Sequence, residues 1–389
     1  MKPKIRFKGF EGEWKNLSLD DCVNFLDSKR KPIEEGNRTK GIFPYYGASG
    51  IVDYINDYIF DEELILLSED GANITDRNYP VCFLAKGKYW VNNHAHVLKA
   101  KEGFINSFLC NAMERKDYTL YNTGMAMPKL NKEACKRIPV LHPSSNEQKA
   151  IASYFTTLDS QISASTSRLA SLKQMKAASL QAMFPQEGET VPKIRFKGFE
   201  GEWTWLKLGD ISEQVKRKAP INSTAPVMMI SALNGFINQS EKYSDNNAGS
   251  SLANYTLLKK GELSYNHGYS KTRNFGSCFN LLVEEARIPF VYHSFRLTND
   301  NDSFYAYYLN SGTKDKDLKR LVSSTARMDG LLNISFKNYM ELSVPHPSLA
   351  EQQAIANYFT SLDRQISLQS QRLEKLKQIK SACLDKMFV

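Results

Sequence analysis

Two stretches of the chain carry the same apolar rhythm. In the first, apolar residues recur at Ile151, Tyr154, Phe155, Leu158, Ile162, Leu169, Leu172, Met175, Leu180 and Met183. In the second they recur at Ile355, Tyr358, Phe359, Leu362, Ile366, Leu373, Leu376, Ile379, Leu384 and Met387. The steps, mostly of three, four and seven, place each set in one stripe along an α-helix. Ser144-x-x-Glu147 and Ser348-x-x-Glu351 each follow a proline and read as capping boxes, with the glutamate reaching back to the N-cap amide. The first helix is expected to stop at Pro185 and Gly188, and the second to run to the chain end. At about 1.5 Å per residue, a helix of about 40 residues spans roughly 60 Å, more than one small domain can cover. Its stripe therefore needs another long apolar stripe, and the twin helix is the nearest candidate. Leu158, Ile162, Leu169 and Leu172 are expected to pair with Leu362, Ile366, Leu373 and Leu376, with the helices antiparallel and the halves related by a pseudo-two-fold axis. The polar run Ser163, Ser165, Thr166 and Ser167 interrupts a strict heptad, so paired helices are expected rather than a zipper.

The rhythm repeats because the sequence repeats. PKIRFKGFEGEW stands at Pro3–Trp14 and again, unchanged, at Pro192–Trp203. Pro143–Phe184 aligns without gaps to Pro347–Phe388, with 25 of 42 positions identical. Between these ends the two interiors share little beyond echoes: Leu17, Leu19 and Asp21 against Leu206, Leu208 and Asp210, and Thr123 and Leu130-Asn131 against Thr325 and Leu332-Asn333. A frame kept similar around unlike inserts points to frames that pack together or meet identical partners, and to inserts that each meet a different target.

Each insert has the size of a domain and mixes short β-rich runs with turns. Tyr45–Val52 reads as a turn between strands, Leu64–Leu67 as a buried strand ending at the Asp70-Gly71 turn, and Tyr89–Val97 as an alternating strand edge. In the second insert Pro226–Ile230 and Phe290–Tyr292 look like strands, and Tyr305–Leu309 like a surface helix. The expected fold class is α/β (α+β): two small mixed-sheet domains, residues 1–142 and 186–346, joined by repeated helices at 143–185 and 347–389.

With 51 Lys and Arg against 42 Asp and Glu, the net charge is +9, which is compatible with a polyanionic partner. Six scattered cysteines without a CxxC pair argue against a zinc ribbon or disulfide framework. Neither a signal-peptide h-region nor a run long enough to span a membrane is visible, so a soluble cytoplasmic chain is expected, with no membrane partner.

Basic and amide side chains gather in the turn-like pieces. The first insert offers Lys29, Arg30, Lys31, Arg38, Tyr45, Tyr46, Ser49, Asn73, Arg77, Asn92, Asn93 and His94. The second offers Lys216, Arg217, Lys218, Asn266, His267, Tyr269, Lys271, Arg273 and Arg327. Lys and Arg neutralise phosphates, while Arg on guanine and Asn on adenine make bidentate base contacts, so these clusters fit double-stranded DNA. Motifs for catalysis are missing: there is no Gly-x-x-x-x-Gly-Lys-Ser/Thr loop, no Gly-rich dinucleotide turn and no Asn-Pro-Pro-Tyr/Phe run. His94-Ala95-His96 lacks a third ligand nearby and reads as an ordinary sheet edge rather than a metal site. No catalytic residue, metal or cofactor is assigned to this chain. The alternatives are a stand-alone DNA methyltransferase or nuclease, and a structural coiled-coil adaptor.

The layout resembles the specificity subunits of type I restriction–modification systems. The resemblance rests on the paired KIRFKGFEGEW signature, the Pro-Ser-x-x-Glu-Gln-x-x-Ile-Ala-x-Tyr-Phe-Thr-x-Leu-Asp-x-Gln-Ile helix starts, Tyr46–Gly50, Asp70–Asn73 and Trp90–His96, and it covers almost the whole chain in order. It implies two target-recognition domains, each reading half of an asymmetric, interrupted DNA sequence. It also implies two methylation subunits that use S-adenosylmethionine, and two motor-nuclease subunits that use ATP and Mg2+.

Overall fold

The computed structural model describes residues 2–220, 222–241, 252, 254–322 and 332–388. The chain divides into two compact units, one of residues 1–167 with 370–389, the other of residues 168–369. Both repeated helices contribute to both units.

The first unit begins with β1 (Lys15–Ser18), α1 (Leu19–Cys22) and β2 (Val23–Phe25). It continues through β3 (Lys40–Gly47), β4 (Gly50–Ile55), β5 (Phe60–Asp61), β6 (Leu64–Ser68) and α2 (Asn73–Asp76). Then come β7 (Cys82–Ala85), β8 (Lys88–Val91), β9 (Ala95–Ala100), α3 (Asn106–Glu114), α4 (Lys132–Lys136) and β10 (Pro139–His142). The long helix α5 (Ser145–Ala182) follows. Strand order β2-β9-β6-β7 makes one antiparallel sheet, and β4-β3-β8-β5 makes a second in which β3 and β8 run parallel. Every residue of Leu64–Ser68 is buried, as the apolar run of that strand predicts. The stretch Tyr89–Val97 is two strands rather than one edge. Asn92–His94 form the turn between them, and β9 lies inside its sheet, paired on both sides.

The second unit contains β11 (Thr204–Lys207), β12 (Ser212–Gln214), β13 (Met228–Ser231), β14 (Gly235–Asn238), β15 (Thr256–Lys259) and β16 (Leu263–Asn266). It continues with β17 (Ser277–Asn280), β18 (Glu285–Ile288), β19 (His293–Leu297), α6 (Asp302–Leu309), α7 (Asp315–Leu321), α8 (Phe336–Met340), β20 (Ser343–His346) and α9 (Leu349–Met387), whose last part returns to the first unit. The sheet β12-β19-β16-β17 repeats β2-β9-β6-β7 element for element. Phe290–Tyr292 is a turn leading into β19 and not a strand. The expected surface helix, α6, is packed into the core: Tyr305 and Tyr308 are fully buried. Its aromatic run reads as amphipathic, but its rings fill the space above β17. Asn131 caps α4 and Ser335 caps α8, so Leu130 corresponds to Ile334. The Leu-Asn echo at 332–333 is therefore two residues out of register.

Helix pairing is direct within each unit. In the first, the Tyr154 hydroxyl lies 3.4 Å from Cys383 Sγ, and Lys380 Nζ donates to Asp159 at 2.5 Å. In the second, Ser179 and Tyr358 hydroxyls lie 2.9 Å apart, and Lys176 donates to Asp363 at 2.5 Å. In both units residue numbers rise along α5 as they fall along α9, so the helices are antiparallel. Leu158, Leu172, Leu362 and Leu373 are buried, and Leu376 packs against the first core. Ile162, Leu169 and Ile366 are half-buried, in keeping with the polar interruption between them. A phenylalanine just past the end of each helix closes the core at the start of the other. Phe388 sits among Trp14, Phe108 and Phe155, and Phe184 among Phe304, Tyr308 and Phe359.

The repeated signature folds as a strap over each helix start. Arg6 clasps both oxygens of Glu147 at 2.6 Å and donates to the Glu11 and Gly12 carbonyls. Arg195 does the same to Glu351 at 2.7 Å, with the Glu200 and Gly201 carbonyls. The capping boxes are thus half right. Ser144 and Ser348 accept from the N3 amides, but each glutamate carboxylate turns to the arginine fork, a stronger, charge-assisted bidentate partner than one amide.

Candidate nucleic-acid interface

In the first unit the turn after β6, the β8–β9 turn, the segment after β2, the β3–β4 turn and the loop 122–129 are tied into one cluster. The Glu69 amide donates to the His94 carbonyl (2.9 Å), the Asn92 amide to Tyr46 (3.0 Å), the Gly71 amide to Pro128 (3.0 Å) and the Leu130 amide to Glu69 (2.7 Å). Arg30 reaches Glu69 (2.7 Å) and the Ala95 carbonyl (2.8 Å). The Trp90 indole donates to the Lys31 carbonyl, and the Tyr45 hydroxyl accepts from the Ile33 amide at 2.9 Å. His94 Nδ1 faces both oxygens of Asp70 at 2.9 and 3.0 Å.

This geometry sorts the sequence candidates. Lys29, Lys31, Ser49, Asn93 and His94 are exposed on the cluster. Arg30, Tyr45 and Asn92 are its anchors, turned inward. Arg38 donates to the Ile33 carbonyl and lies over the Tyr45 ring, and Tyr46 packs on Phe83 and Tyr89. Asn73 closes its own turn with the Tyr79 backbone in both directions. Arg77, at φ 56°, is occupied at the end of α3 by the carbonyl and carboxylate of Glu114.

In the second unit the corresponding turn follows β16. Gly276 faces it, and a methyl there would collide with the Asn266 carbonyl and the Tyr265 ring. Tyr269 and Lys271 are exposed at its tip. Asn266 accepts from the Gly268 amide (3.0 Å) and donates to Ile230 (3.3 Å), so it holds the turn. His267 is buried, with its ring nitrogens 2.6 Å from the Leu332 carbonyl and 2.9 Å from that of Val291. Arg273 donates to the Asn310 carbonyl at the end of α6, the counterpart of the Arg77 contact. Lys216 is exposed, Arg217 pairs with Glu262, and Lys218 donates to Asn254. Arg327 lies outside the described residues.

One histidine position is shared. His96 in β9 and His293 in β19 occupy equivalent sheet positions and reach the carbonyls of Leu130 (2.7 Å) and Ile334 (2.8 Å), the residues that open onto α4 and α8. Burial works against charging His96, but its hydrogen bond to Asp27 at 2.8 Å, the neighbouring Cys135 and the Asp27 charge together outweigh that, and its pKa is pushed up to about 10. Burial pushes His293 down; the Ile334 carbonyl opposes this, and His267, stacked 4.8 Å away, adds to the lowering. His94 and His96 thus go to different carboxylates and serve no common ligand. Asp27, Glu69 and Asp70 are the acids that lock the loops; the sequence marked Asp70 only as a turn residue and gave no signal for Asp27 and Glu69 beyond their adjacency to the candidate turns. Among the described residues there is no cluster of three metal-ligating side chains and no helix long and apolar enough to cross a membrane.

Two similar units, each with one loop cluster on a repeated frame, define a paired-domain recognition protein. The family model of the type I restriction modification DNA specificity domain matches residues 11–174 and again 200–378, and the chain belongs to that family. It is 35% identical over 151 residues to a putative type I restriction enzyme specificity subunit, S.HindORF215P, of Haemophilus influenzae, covering 39% of this chain and 38% of that protein. It is 21% identical over 409 residues to the type I restriction enzyme EcoDI specificity subunit of Escherichia coli, covering 94% of this chain and 86% of the other. The match thus spans little more than a third of the first relative and most of the second. In fold it is similar to the crystal structure of the type I restriction-modification system S subunit from M. genitalium, with a TM-score of 0.68 and 16% identity over 100% of this chain and 99% of that one.

Proposed function

We propose that this chain is the non-catalytic, sequence-reading subunit of a type I restriction–modification complex in the cytoplasm, and that each loop cluster reads one half of an interrupted, asymmetric DNA sequence. The recognition domains would be residues 1–142 and 186–346, with the helices at 143–185 and 347–389 as frame. The observation that carries the reading is the contrast between frame and loops. Both units place a turn after the central strand β6 or β16 on the same sheet scaffold, yet that turn reads Glu-Asp-Gly-Ala-Asn in one and His-Gly-Tyr-Ser-Lys in the other. Lys29, Lys31, Asn93 and His94 in the first unit, and Lys216, Tyr269 and Lys271 in the second, are the side chains assigned to DNA.

The frame supports a second part of the proposal, docking of two identical methylation subunits. Lys4, Ile5, Lys8 and Glu11 are exposed, as are their identical counterparts Lys193, Ile194, Lys197 and Glu200. Core packing does not demand identity at exposed positions, whereas meeting the same partner twice does. S-adenosylmethionine would be used by those subunits, and ATP and Mg2+ by two motor-nuclease subunits.

The test is methyl transfer from labelled S-adenosylmethionine to DNA. The chain alone is expected to shift a specific duplex without transferring methyl groups, and transfer is expected once the methylation subunit is added. Transfer by the chain alone would establish the stand-alone enzyme instead, and no selective shift would leave only the adaptor.

A further inference from the structure

The loop 122–129 of the first unit carries the most exposed large apolar side chain among the described residues, Met125, and a second exposed methionine beside it. Met125 is fully exposed and Met127 is 61% exposed. The loop is nevertheless well fixed. The Asn122 side-chain oxygen accepts from the amides of Gly124 (3.0 Å) and Lys129 (2.8 Å), and the Thr123 amide donates to the Lys129 carbonyl at 2.7 Å. Gly124 is required, because a methyl there would overlap the Met127 carbonyl oxygen. On its other side the loop is bonded to the Asp70-Gly71 turn through Pro128 and Lys129, and Asp70 in turn holds His94. Two bare thioether side chains are therefore held at the edge of the loop cluster assigned to DNA.

We propose that Met125, backed by Met127, is an apolar wedge that presses between base steps of the half-site read by the first unit. The inference rests on the DNA reading given above and extends it to a residue type that reading does not use. Three features favour a duplex as occupant. The tip presents no charged group, so it is suited to bases rather than to phosphates. Lys129 stands two residues from Met127, its ammonium 3.7 Å from Glu69 and still half exposed, so a cation lies beside the tip on the side where a phosphate backbone would pass. Methionine is among the side chains that open base steps, and a tip that is already ordered loses little further freedom on insertion.

The full-length chain, with its methylation subunit, is used to select duplexes from a random library, and 2-aminopurine is then placed at successive positions of the selected site. Wild type is expected to raise fluorescence at one step of one half-site, through unstacking. Met125→Ala is expected to abolish that rise and to weaken binding of the selected duplex roughly tenfold to a hundredfold, the factor that burial of one methionine side chain is worth. Met125→Leu keeps the apolar bulk and should retain most of both. Because Met125 is fully exposed, the thermal midpoint of the variants should match wild type. A bipartite motif that Met125→Ala binds and unstacks as wild type does would overturn the wedge alone. So would a Met125→Ala chain that reads DNA normally but releases the methylation subunit, since the loop would then be a protein contact. Failure of wild type to enrich any motif would overturn the DNA reading itself, and the wedge with it.

Discussion

The two halves place a histidine at one strand position and give it opposite surroundings. His96 has Asp27 at 2.8 Å and Glu69 at 3.7 Å, whereas His293 has His267 stacked upon it. An ordinary histidine titrates near 6.5. With its folded pKa raised to about 10, His96 stabilises the first unit fully below about pH 6.5, and that contribution is lost as pH rises through about 10. The depressed pKa of His293 has the reverse sign: its contribution is present above about pH 6.5 and is lost as pH falls below it. Thermal midpoints measured from pH 5 to 10 should therefore show His96→Gln flattening the alkaline limb and His293→Gln flattening the acid limb. Equal effects of both variants at every pH would contradict these assignments. Nothing in His94-Ala95-His96 distinguishes the exposed ring from the buried one. The alternation is visible in the sequence, but which face meets solvent depends on where β8 ends and β9 begins. The same holds for His267, whose neighbours Asn266 and Tyr269 give it the look of a loop residue.

The repeated helices were legible as elements because their period persists for about ten turns, and their partner was legible because the stripe is written twice. The strap was not. PKIRFKGFEGEW was visible as a repeat, but the Arg6–Glu147 clasp joins residues far apart in sequence, and a local capping box was the nearest competing explanation. Short strands fared worse: Phe290–Tyr292 has strand composition, yet it forms a turn after Pro289, whose carbonyl accepts from the Tyr292 amide at 3.2 Å. Phe155 packs against Tyr154 of its own helix and against Phe388, the residue after α9. Phe155→Ala should cost about 3–5 kcal/mol, as for other fully buried phenylalanines, read as a lowered denaturation midpoint. A change below about 1 kcal/mol would mean that the helix ends do not share that core. The exposed Lys29 and Lys31 should behave differently. Their replacement by alanine should leave stability unchanged and reduce the slope of log affinity against log salt by about 1 for each phosphate no longer neutralised.

At the scale of the whole chain, duplication with divergence is the feature from which the function follows. The similar frames support the proposal that one partner is met twice, and the unlike loop clusters the proposal that two unlike half-sites are read. Lengthening Ser163–Ser171 by a few residues should change the number of unread base pairs between the half-sites, and an unchanged spacing would remove the helix as its determinant. The base sequence itself stayed hidden in the amino-acid sequence, because readout depends on which atoms of a few exposed side chains reach which groove edge. The most direct measurement is genome-wide mapping of N6-methyladenine in cells with the chain, without it, and with Tyr269 and Lys271 both replaced by alanine. The predicted result is a two-part motif with unlike halves that vanishes with the gene, and of which only one half is relaxed by the double replacement. A contiguous motif, or a two-part motif that persists without the chain, would contradict it.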